Sequence, residues 1–201
     1  MIEYCQKDEI LETEILSAAG LLFKEFGFKK TTMGDIAQYV GKGKSTLYYY
    51  YTGKEEIFEA VINHEMKEFN TEIQAAINKP FSAKQKLKAY CKARFQKLSQ
   101  LCNLSEALLN EIAELQCILS KIRKRYESFQ IDLIKRVMEE GVERGEFKKI
   151  TRENIELFSY LMVCSFRGLS VPFTVEKKYP QMDHQIDTMV DIFVDGIGRE
   201  N

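Results

Sequence analysis

The chain has 201 residues, of which 45% are hydrophobic and 29% charged, and its formal net charge is −1. This composition is typical of a folded globular protein and excludes an intrinsically disordered chain. No apolar run approaches the roughly 18 residues that a membrane helix needs, and the acidic, polar start of the chain is unlike a signal peptide. We therefore expect a cytoplasmic protein with no membrane association.

The five cysteines and two histidines are scattered along the sequence. No C-x-x-C pair occurs, and the spacing does not match a zinc site. We therefore expect reduced thiols that pack as small hydrophobic side chains, with no metal and no cofactor.

Apolar residues recur every three or four positions along most of the chain, which predicts helices. The first predicted helix carries an apolar stripe over residues 11–26 and ends at Gly27. A second, short helix begins at Thr32, which is placed to form a capping box with Asp35. Gly41 ends this helix.

Residues 43–51 are ambiguous because their run of four tyrosines favours a strand by propensity alone. No neighbouring segment has the alternating pattern of a partner strand. Thr52 is also placed to start another capping box, with Glu55, ahead of a long helix. We therefore predict a short helix over 43–51.

The helical pattern continues to the end of the chain. We predict that the long helix capped by Thr52 includes residues 57–77, and that further helices cover about 83–101, 104–116 and 119–144. An apolar helix follows Thr151, and a last one includes residues 186–197. The fold class is therefore all-α, with about nine helices. We place a domain boundary after residue 54, which gives an N-terminal domain over 1–54 (three helices plus the start of the fourth) and a helical domain over 55–201.

Positive charge is concentrated near the start of the chain. Residues 28–54 contain five lysines and one aspartate, a local net charge of +4, whereas the remainder of the chain is acidic. A local basic region on a neutral protein suits DNA phosphates. A solvated lysine-rich surface is the alternative.

Two short helices joined by a glycine-containing turn are typical of a helix-turn-helix, whose second helix enters the major groove of DNA. In a helix over 43–51, Leu47 and Tyr51 face inward because they are four residues apart. Tyr49 and Tyr50 then share the outer face with Thr46, and small hydroxylated side chains at the N-terminal end suit phosphates and base edges. Most of the tyrosines could instead pack against the neighbouring helices, which we accept for Tyr51 and leave open for Tyr48.

Lys54 falls in the first turn of the long helix, where the helix dipole disfavours a cation. A DNA phosphate would compensate for this, and so would the neighbouring Glu55 and Glu56. We favour the phosphate.

Over residues 10–58 the sequence resembles the TetR family of transcriptional regulators (TetR/AcrR type). The resemblance is carried by Ala18-Ala19, Leu22-Phe23 and Gly27, by Thr31-Thr32-Met33 and Asp35-Ile36-Ala37, by Gly41, and by Leu47-Tyr48-Tyr49-Tyr50-Tyr51 with Lys54-Glu55. It implies DNA contacts at Thr32, Gly43, Lys44, Ser45, Thr46, Tyr48, Tyr49, Tyr50 and Lys54. The sequence departs from the family pattern at Tyr50, where histidine is frequent, and at Tyr51, where phenylalanine is usual.

The resemblance also implies a homodimer that binds double-stranded operator DNA with two-fold symmetry. The last two predicted helices are too apolar for the surface of a monomer, so we expect them to form the dimer interface. The residues expected there are Phe158, Met162, Phe166, Ile186, Met189, Val190, Phe193 and Ile197.

A small apolar or amphipathic ligand is implied mainly by the resemblance. The function would then be that of a repressor which the ligand releases from a palindromic operator, with the long fourth helix as the lever between the domains. Aromatic, sulfur-containing and histidine side chains are the candidates for the ligand pocket: His64, Phe69, Cys91, Phe95, Cys117, Tyr126, Tyr160 and Phe166. An ordinary core position is the more common role for such side chains, and a surface position is the more common one for a histidine such as His64.

Two alternatives remain. One is a DNA-binding adaptor or scaffold without a small-molecule ligand. The other is a helical enzyme, but the spacing shows no catalytic triad, paired carboxylates or phosphate loop. We therefore expect that the protein is not an enzyme.

Overall fold

The computed structural model describes residues 2–101, 111, 115–147, 150–174, 185, 187–189 and 191–192. Within these residues, seven helices have described bounds and no residue lies in a strand, which confirms the all-α prediction. The helices are α1 (Ile2–Phe26), α2 (Met33–Val40), α3 (Lys44–Tyr50), α4 (Lys54–Ile77), α5 (Ala83–Leu101), α6 (Gln116–Glu143) and α7 (Ile155–Thr174). Most of the helix expected over 104–116, and most of the last helix, lie outside the described residues.

The start of α2 has the capping box that the sequence predicts. The Thr32 side chain accepts a hydrogen bond from the Asp35 backbone N–H at 3.2 Å, and the Asp35 carboxylate accepts one from the Thr32 N–H at 2.8 Å. At the other end Gly41 adopts a left-handed conformation with φ of 69°, which favours glycine. Local sequence therefore fixes both ends of this short helix.

The prediction that Glu55 is the acidic partner of Thr52 is wrong, because Thr52 bonds to Glu56 instead. The backbone N–H and the hydroxyl of Thr52 both donate to the carboxylate of Glu56, at 2.6 and 2.8 Å. Helix α4 begins at Lys54, so its third residue, where a capping carboxylate lies, is Glu56.

The chain divides into two compact units. The first contains residues 1–67 and 104–123. Its core joins side chains of α1 to α4, among them a cluster of three aromatic rings whose centroids lie 5.2 to 5.6 Å apart: Phe23, Phe28 and Phe58. Leu115, from the later part of the sequence, is buried in the same core. The first unit is therefore built from two separate stretches of the chain.

The second unit contains residues 68–103 and 124–201. Its described part includes the end of α4 together with α5, α7 and most of α6. The break after α6 that the sequence predicts is present: Gly145 has a φ of 69°, and Phe147 returns to the core. The carboxylate of Glu146 accepts hydrogen bonds from the N–H groups of Ala83 and Lys84, both at 3.2 Å, and so caps the start of α5.

The glycine at position 141 is required by this turn. A Cβ there would collide with the ring of Phe147 and with the side chain of Ala83.

None of the described helices is both long and apolar enough to cross a membrane.

Candidate nucleic-acid interface

Helices α2 and α3 form a helix-turn-helix with a connection over residues 41–43. Leu47 has no exposed surface and Tyr51 is 6% exposed, so both side chains of α3 face the core as predicted. The opposite side of α3 is left open to solvent. This is the face that a DNA-reading helix must keep free.

The exposed face of α3 carries most of the side chains that the sequence assigns to DNA contact. Gly43, Lys44 and Ser45 are exposed at its N-terminal end, and Thr46 is partly exposed. Tyr49 is 79% exposed and Tyr48 54% exposed. The packing position that the sequence left open for Tyr48 is therefore excluded.

Tyr50 differs from the outward orientation that helical spacing predicts. Its side chain is partly buried against the core of the first unit, and its hydroxyl donates to the Asp8 carboxylate of α1 at 2.9 Å. This hydrogen bond raises the pKa of Tyr50. The Tyr51 hydroxyl donates in the same way to Glu12 at 2.9 Å, and burial raises the pKa of Tyr51. Two tyrosines of α3 therefore hold this helix on α1.

The Lys44 side chain lies against the start of α2. A Cβ added to Gly34 would come within 2.7 Å of Lys44 Cε, 3.0 Å of its Nζ and 3.4 Å of the Thr32 hydroxyl oxygen. Hydrogen bonds from Thr32 hold the pKa of Asp35 below its usual value, and the charge of Lys44 contributes to that shift. The structure thus brings two predicted DNA contacts, Thr32 and Lys44, to one place beside Gly34.

Lys54 has a structural role that the sequence does not indicate. Its ammonium donates to the backbone carbonyls of Phe28, Lys29 and Thr31, at 2.8, 3.1 and 3.2 Å, and lies 4.5 Å from the centroid of the Phe28 ring. Three acceptors match the three N–H donors of a lysine. They compensate for the unfavourable helix dipole without a phosphate or a neighbouring glutamate. A phosphate contact of Lys54 stays a prediction.

The carbonyls that Lys54 binds belong to the α1–α2 turn, residues 27–31, and a carboxylate holds the same turn by its N–H groups. Glu111, only 8% exposed, accepts from the N–H of Phe28 at 2.6 Å and from the N–H of Lys29 at 3.1 Å. Sequence reasoning missed Glu111 because these partners lie 83 and 82 residues away, and no local pattern marks such a contact.

Within the first unit, the lysine side chains described as exposed next to the helix-turn-helix are those of Lys29, Lys30, Lys42 and Lys44. Four of the five lysines of the +4 region, together with Asp35, are thus exposed to solvent on this unit. The sign of their net charge is the one that DNA phosphates require.

Comparison with known proteins decides the family. Residues 15–61, which contain the helix-turn-helix, match the family model for bacterial regulatory proteins of the tetR family. This segment of the chain is a TetR-family DNA-binding domain. Together with relatives that are HTH-type regulators, the match confirms the prediction of a TetR-type DNA-binding transcriptional regulator.

The chain is similar to two curated proteins of Bacillus subtilis and to a solved structure from the same organism. One is an uncharacterized HTH-type transcriptional regulator, YhgD, 27% identical over 184 residues, which are 90% of this chain and 92% of that protein. Another is a fatty acid metabolism regulator protein, 26% identical over 140 residues, which cover 68% of this chain and 70% of the other. A solved structure of the regulator FadR in complex with stearoyl-CoA matches the fold with a TM-score of 0.66 at 21% identity, covering 92% and 98% of the two chains. These proteins are transcriptional regulators, which confirms that the chain is not an enzyme.

The candidate ligand residues fall in different places in this TetR-family structure. Phe69, Cys91, Phe95 and Phe166 are buried in the second unit. Tyr126 is partly buried there, whereas Tyr160 is 45% exposed. His64 and Cys117 belong to the first unit, where Cys117 is exposed. The structure therefore brings four of the eight candidates into the core of the second unit.

Cys91 is a structural thiol. Burial raises its pKa to about 12, so the thiol stays protonated at neutral pH. This agrees with the expectation of thiols that pack as small hydrophobic groups.

The residues expected at a dimer interface are described only in part. Phe158 and Met162 are partly buried, Phe166 is 7% exposed within the second unit, and Met189 is 46% exposed. The other expected residues, Ile186, Val190, Phe193 and Ile197, have side chains outside the described part of the chain. Three further apolar side chains of α7 are 45 to 57% exposed: Leu157, Tyr160 and Leu161. The sequence assigned Tyr160 to the ligand pocket and gave the two leucines no role.

Proposed function

We propose that the chain is a homodimeric repressor that binds a palindromic operator and is released by a small amphipathic ligand. The observation that carries this proposal is the exposed face of α3, which presents Lys44, Ser45, Tyr48 and Tyr49 beside Thr32 of α2. A repressor of chromosomal genes acts where the chromosome is, so we propose a cytoplasmic location.

The DNA contacts divide by chemistry. We propose that Thr32 and Lys44, together with Gly43 and Ser45 at the N-terminal end of α3, contact backbone phosphates. Tyr48 and Tyr49 then present their rings and hydroxyls to the major groove, where thymine methyl groups are apolar partners for aromatic rings. We also propose DNA contacts for Thr46, which is partly exposed, and for Tyr50.

The salt dependence of operator binding tests the phosphate contact of Lys44. Lys44→Ala is expected to weaken operator binding and to reduce the slope of log affinity against log salt by about one, because one phosphate contact is lost. Fluorescence anisotropy over a series of salt concentrations measures this. Lys121→Ala, at an exposed lysine of α6, is the control. An unchanged slope would remove Lys44 from the interface.

The dimer is supported by the exposed apolar side chains of α7. Leu157, Tyr160 and Leu161 are separated by three and four residues, so they share one face of the helix. We propose that this face and the last helix, where Met189 and Ile192 are exposed, bind a second copy of the chain.

A charge on that face should prevent dimerisation. Leu161→Glu is expected to give a monomer in analytical ultracentrifugation and to reduce operator affinity at least tenfold, because one monomer binds only one half-site. Leu21→Glu, at an exposed leucine of α1, is the matched control and should remain dimeric. A dimeric Leu161→Glu protein would show that the interface lies elsewhere.

The ligand proposal is supported by the relatives and by the apolar core of the second unit. One relative is a fatty acid metabolism regulator, and the FadR structure with a similar fold contains stearoyl-CoA. Buried aromatic side chains of the second unit, such as Phe69, Phe95 and Phe166, suit an acyl chain. We therefore propose a ligand of the fatty acyl class.

Ligand binding would reach the DNA-binding helices through chain elements that belong to both units. Helix α4 runs from the first unit into the second after Lys67, and α6 does so after Arg123. A ligand that prefers the conformation with low operator affinity must weaken DNA binding by the same factor. We propose α4 as the lever for this change.

Footprinting of DNA upstream of neighbouring genes, with and without stearoyl-CoA, tests the proposed function. The expected result is one protected palindrome that loses protection when stearoyl-CoA is added. Protection that persists although stearoyl-CoA binds would favour a DNA-binding adaptor that does not respond to this ligand. The absence of any protected site would contradict the repressor proposal.

A further inference from the structure

A chain of uncharged polar groups crosses the apolar core of the second unit. The Tyr90 hydroxyl donates to the Gln130 side-chain oxygen at 3.3 Å, and the Gln130 amide nitrogen donates to the Asn70 side-chain oxygen at 2.8 Å. Tyr90, Gln130 and Asn70 are all buried. These groups satisfy one another and carry no negative charge, because burial raises the pKa of Tyr90 further above neutrality.

Arg94 brings a positive charge to this core. Its guanidinium carbon lies 5.7 Å from the centroid of the Phe69 ring and 5.6 Å from that of Phe166. The Phe166 ring also meets the Tyr90 ring edge to face at 5.9 Å. The charge of Arg94 acts to lower the pKa of Tyr90 and of Cys91, in opposition to burial, which places it close to both groups.

The Arg94 side chain is partly exposed, but one of its donors lies in the core without a partner. Its Nε is buried and has no hydrogen-bond partner, and none of the carboxylates in the described part of the chain forms an ion pair with it. A buried donor without an acceptor is costly. Aromatic rings stabilise a guanidinium through its face, but they leave the N–H groups in its plane without acceptors.

We propose that Arg94 binds the anionic group of the ligand, so that the second unit selects amphipathic molecules that carry a carboxylate or a phosphate. Nε and a terminal nitrogen of a guanidinium form the two-pronged donor that matches either anion. The aromatic rings of Phe69 and Phe166 then lie beside the start of the apolar chain. This inference rests on the proposed ligand-responsive function and adds the chemistry by which the ligand is recognised.

Three probes with the same chain length test the anion. Isothermal titration calorimetry of the full-length protein measures the affinity for dodecanoate, dodecanoyl-CoA and 1-dodecanol, in the wild type and in Arg94→Gln. The wild type is expected to bind at least one anionic probe ten times or more tighter than dodecanol. Arg94→Gln is expected to lose at least tenfold in affinity for that probe and nothing for dodecanol, because only the anionic probe accepts charge-assisted hydrogen bonds.

The variants distinguish recognition from support of the fold. Arg94→Lys keeps the charge without the two-pronged geometry and should bind the anionic probe with intermediate affinity. Lys92→Gln is the control, because Lys92 is an exposed cation on the same helix and is paired with Asp187 at 2.9 Å. If Arg94→Gln loses affinity only for dodecanoate, the ligand carries a carboxylate. If it loses affinity only for dodecanoyl-CoA, the ligand carries a phosphate.

Other outcomes overturn the inference. Unchanged binding of the anionic probes by Arg94→Gln, or an equal loss for all three probes, would show that Arg94 does not recognise an anion. If the wild type binds none of the probes, the acyl ligand of the proposed function and this inference fail together. If binding depends on Arg94 but no probe releases operator DNA, the release mechanism fails and the anion site stands.

Discussion

The two units differ in whether the polar groups of their charged side chains have hydrogen-bond partners. In the first unit, the ammonium of Lys54 and the carboxylate of Glu111 are each bound to backbone groups of the α1–α2 turn. In the second unit, Nε of Arg94 is buried and has no hydrogen-bond partner among the described residues. Satisfied charges fix a structure, whereas an unsatisfied donor destabilises it until an acceptor is bound. The first arrangement suits a rigid DNA-reading surface, and the second suits a site for a ligand.

The largest effect is expected at Glu111. Glu111→Leu leaves the buried N–H groups of Phe28 and Lys29 without an acceptor, which should lower the free energy of unfolding by about 2–4 kcal/mol and weaken operator binding. Glu111→Gln keeps one acceptor oxygen and should lie between this variant and the wild type. Urea denaturation followed by circular dichroism measures the effect.

Glu25→Leu, at an exposed glutamate of α1, is the control for Glu111 and should change the stability by less than about 0.5 kcal/mol. If Glu111→Leu is no less stable than this control, the carboxylate does not hold the α1–α2 turn.

A smaller loss is expected at Lys54. Lys54→Met keeps the aliphatic stem but removes the three hydrogen bonds to the carbonyls of the turn, which should cost about 1–3 kcal/mol of stability. Urea denaturation without DNA isolates this effect from any phosphate contact. Lys44→Met is the matched variant, because Lys44 is exposed and should leave the stability nearly unchanged. Equal stability of the two variants would contradict the structural role of Lys54.

At Arg94, the expected change in the free energy of unfolding has the opposite sign. In the absence of ligand, Arg94→Met removes a guanidinium with an unsatisfied donor, so the free energy of unfolding should stay constant or rise by up to about 1 kcal/mol. A clear loss of stability would show that Arg94 is already satisfied, and the contrast between the two units would disappear. Differential scanning calorimetry with and without the anionic probe that the wild type binds measures the change, since the wild type should gain more stability from that probe than Arg94→Met.

Local sequence was sufficient for the helix-turn-helix itself. The Thr32–Asp35 capping box, the left-handed Gly41 and the inward positions of Leu47 and Tyr51 all depend on residues within four positions of one another. Helical periodicity and capping rules act over that range.

Partners that are distant along the chain could not be predicted in the same way. Spacing placed Tyr50 on the outer face of α3, but the choice of Asp8 as its partner depends on how α1 packs. The helix dipole indicated that Lys54 needs compensation, yet nothing in the sequence identified backbone carbonyls 23 to 26 residues earlier as the source. The sequence assigned Glu55 instead of Glu56 as the partner of Thr52, because the predicted capping box placed the start of α4 one residue too early.

The bond between Glu111 and the α1–α2 turn has a consequence for the order in which this protein is made. A ribosome completes the segment that reads DNA long before it adds Glu111 and Leu115, which the same compact unit uses to close its turn and its core. We therefore expect an excised N-terminal segment to be less stable than the same residues in the full chain. A truncated product that ends before Glu111 should then compete poorly for the operator.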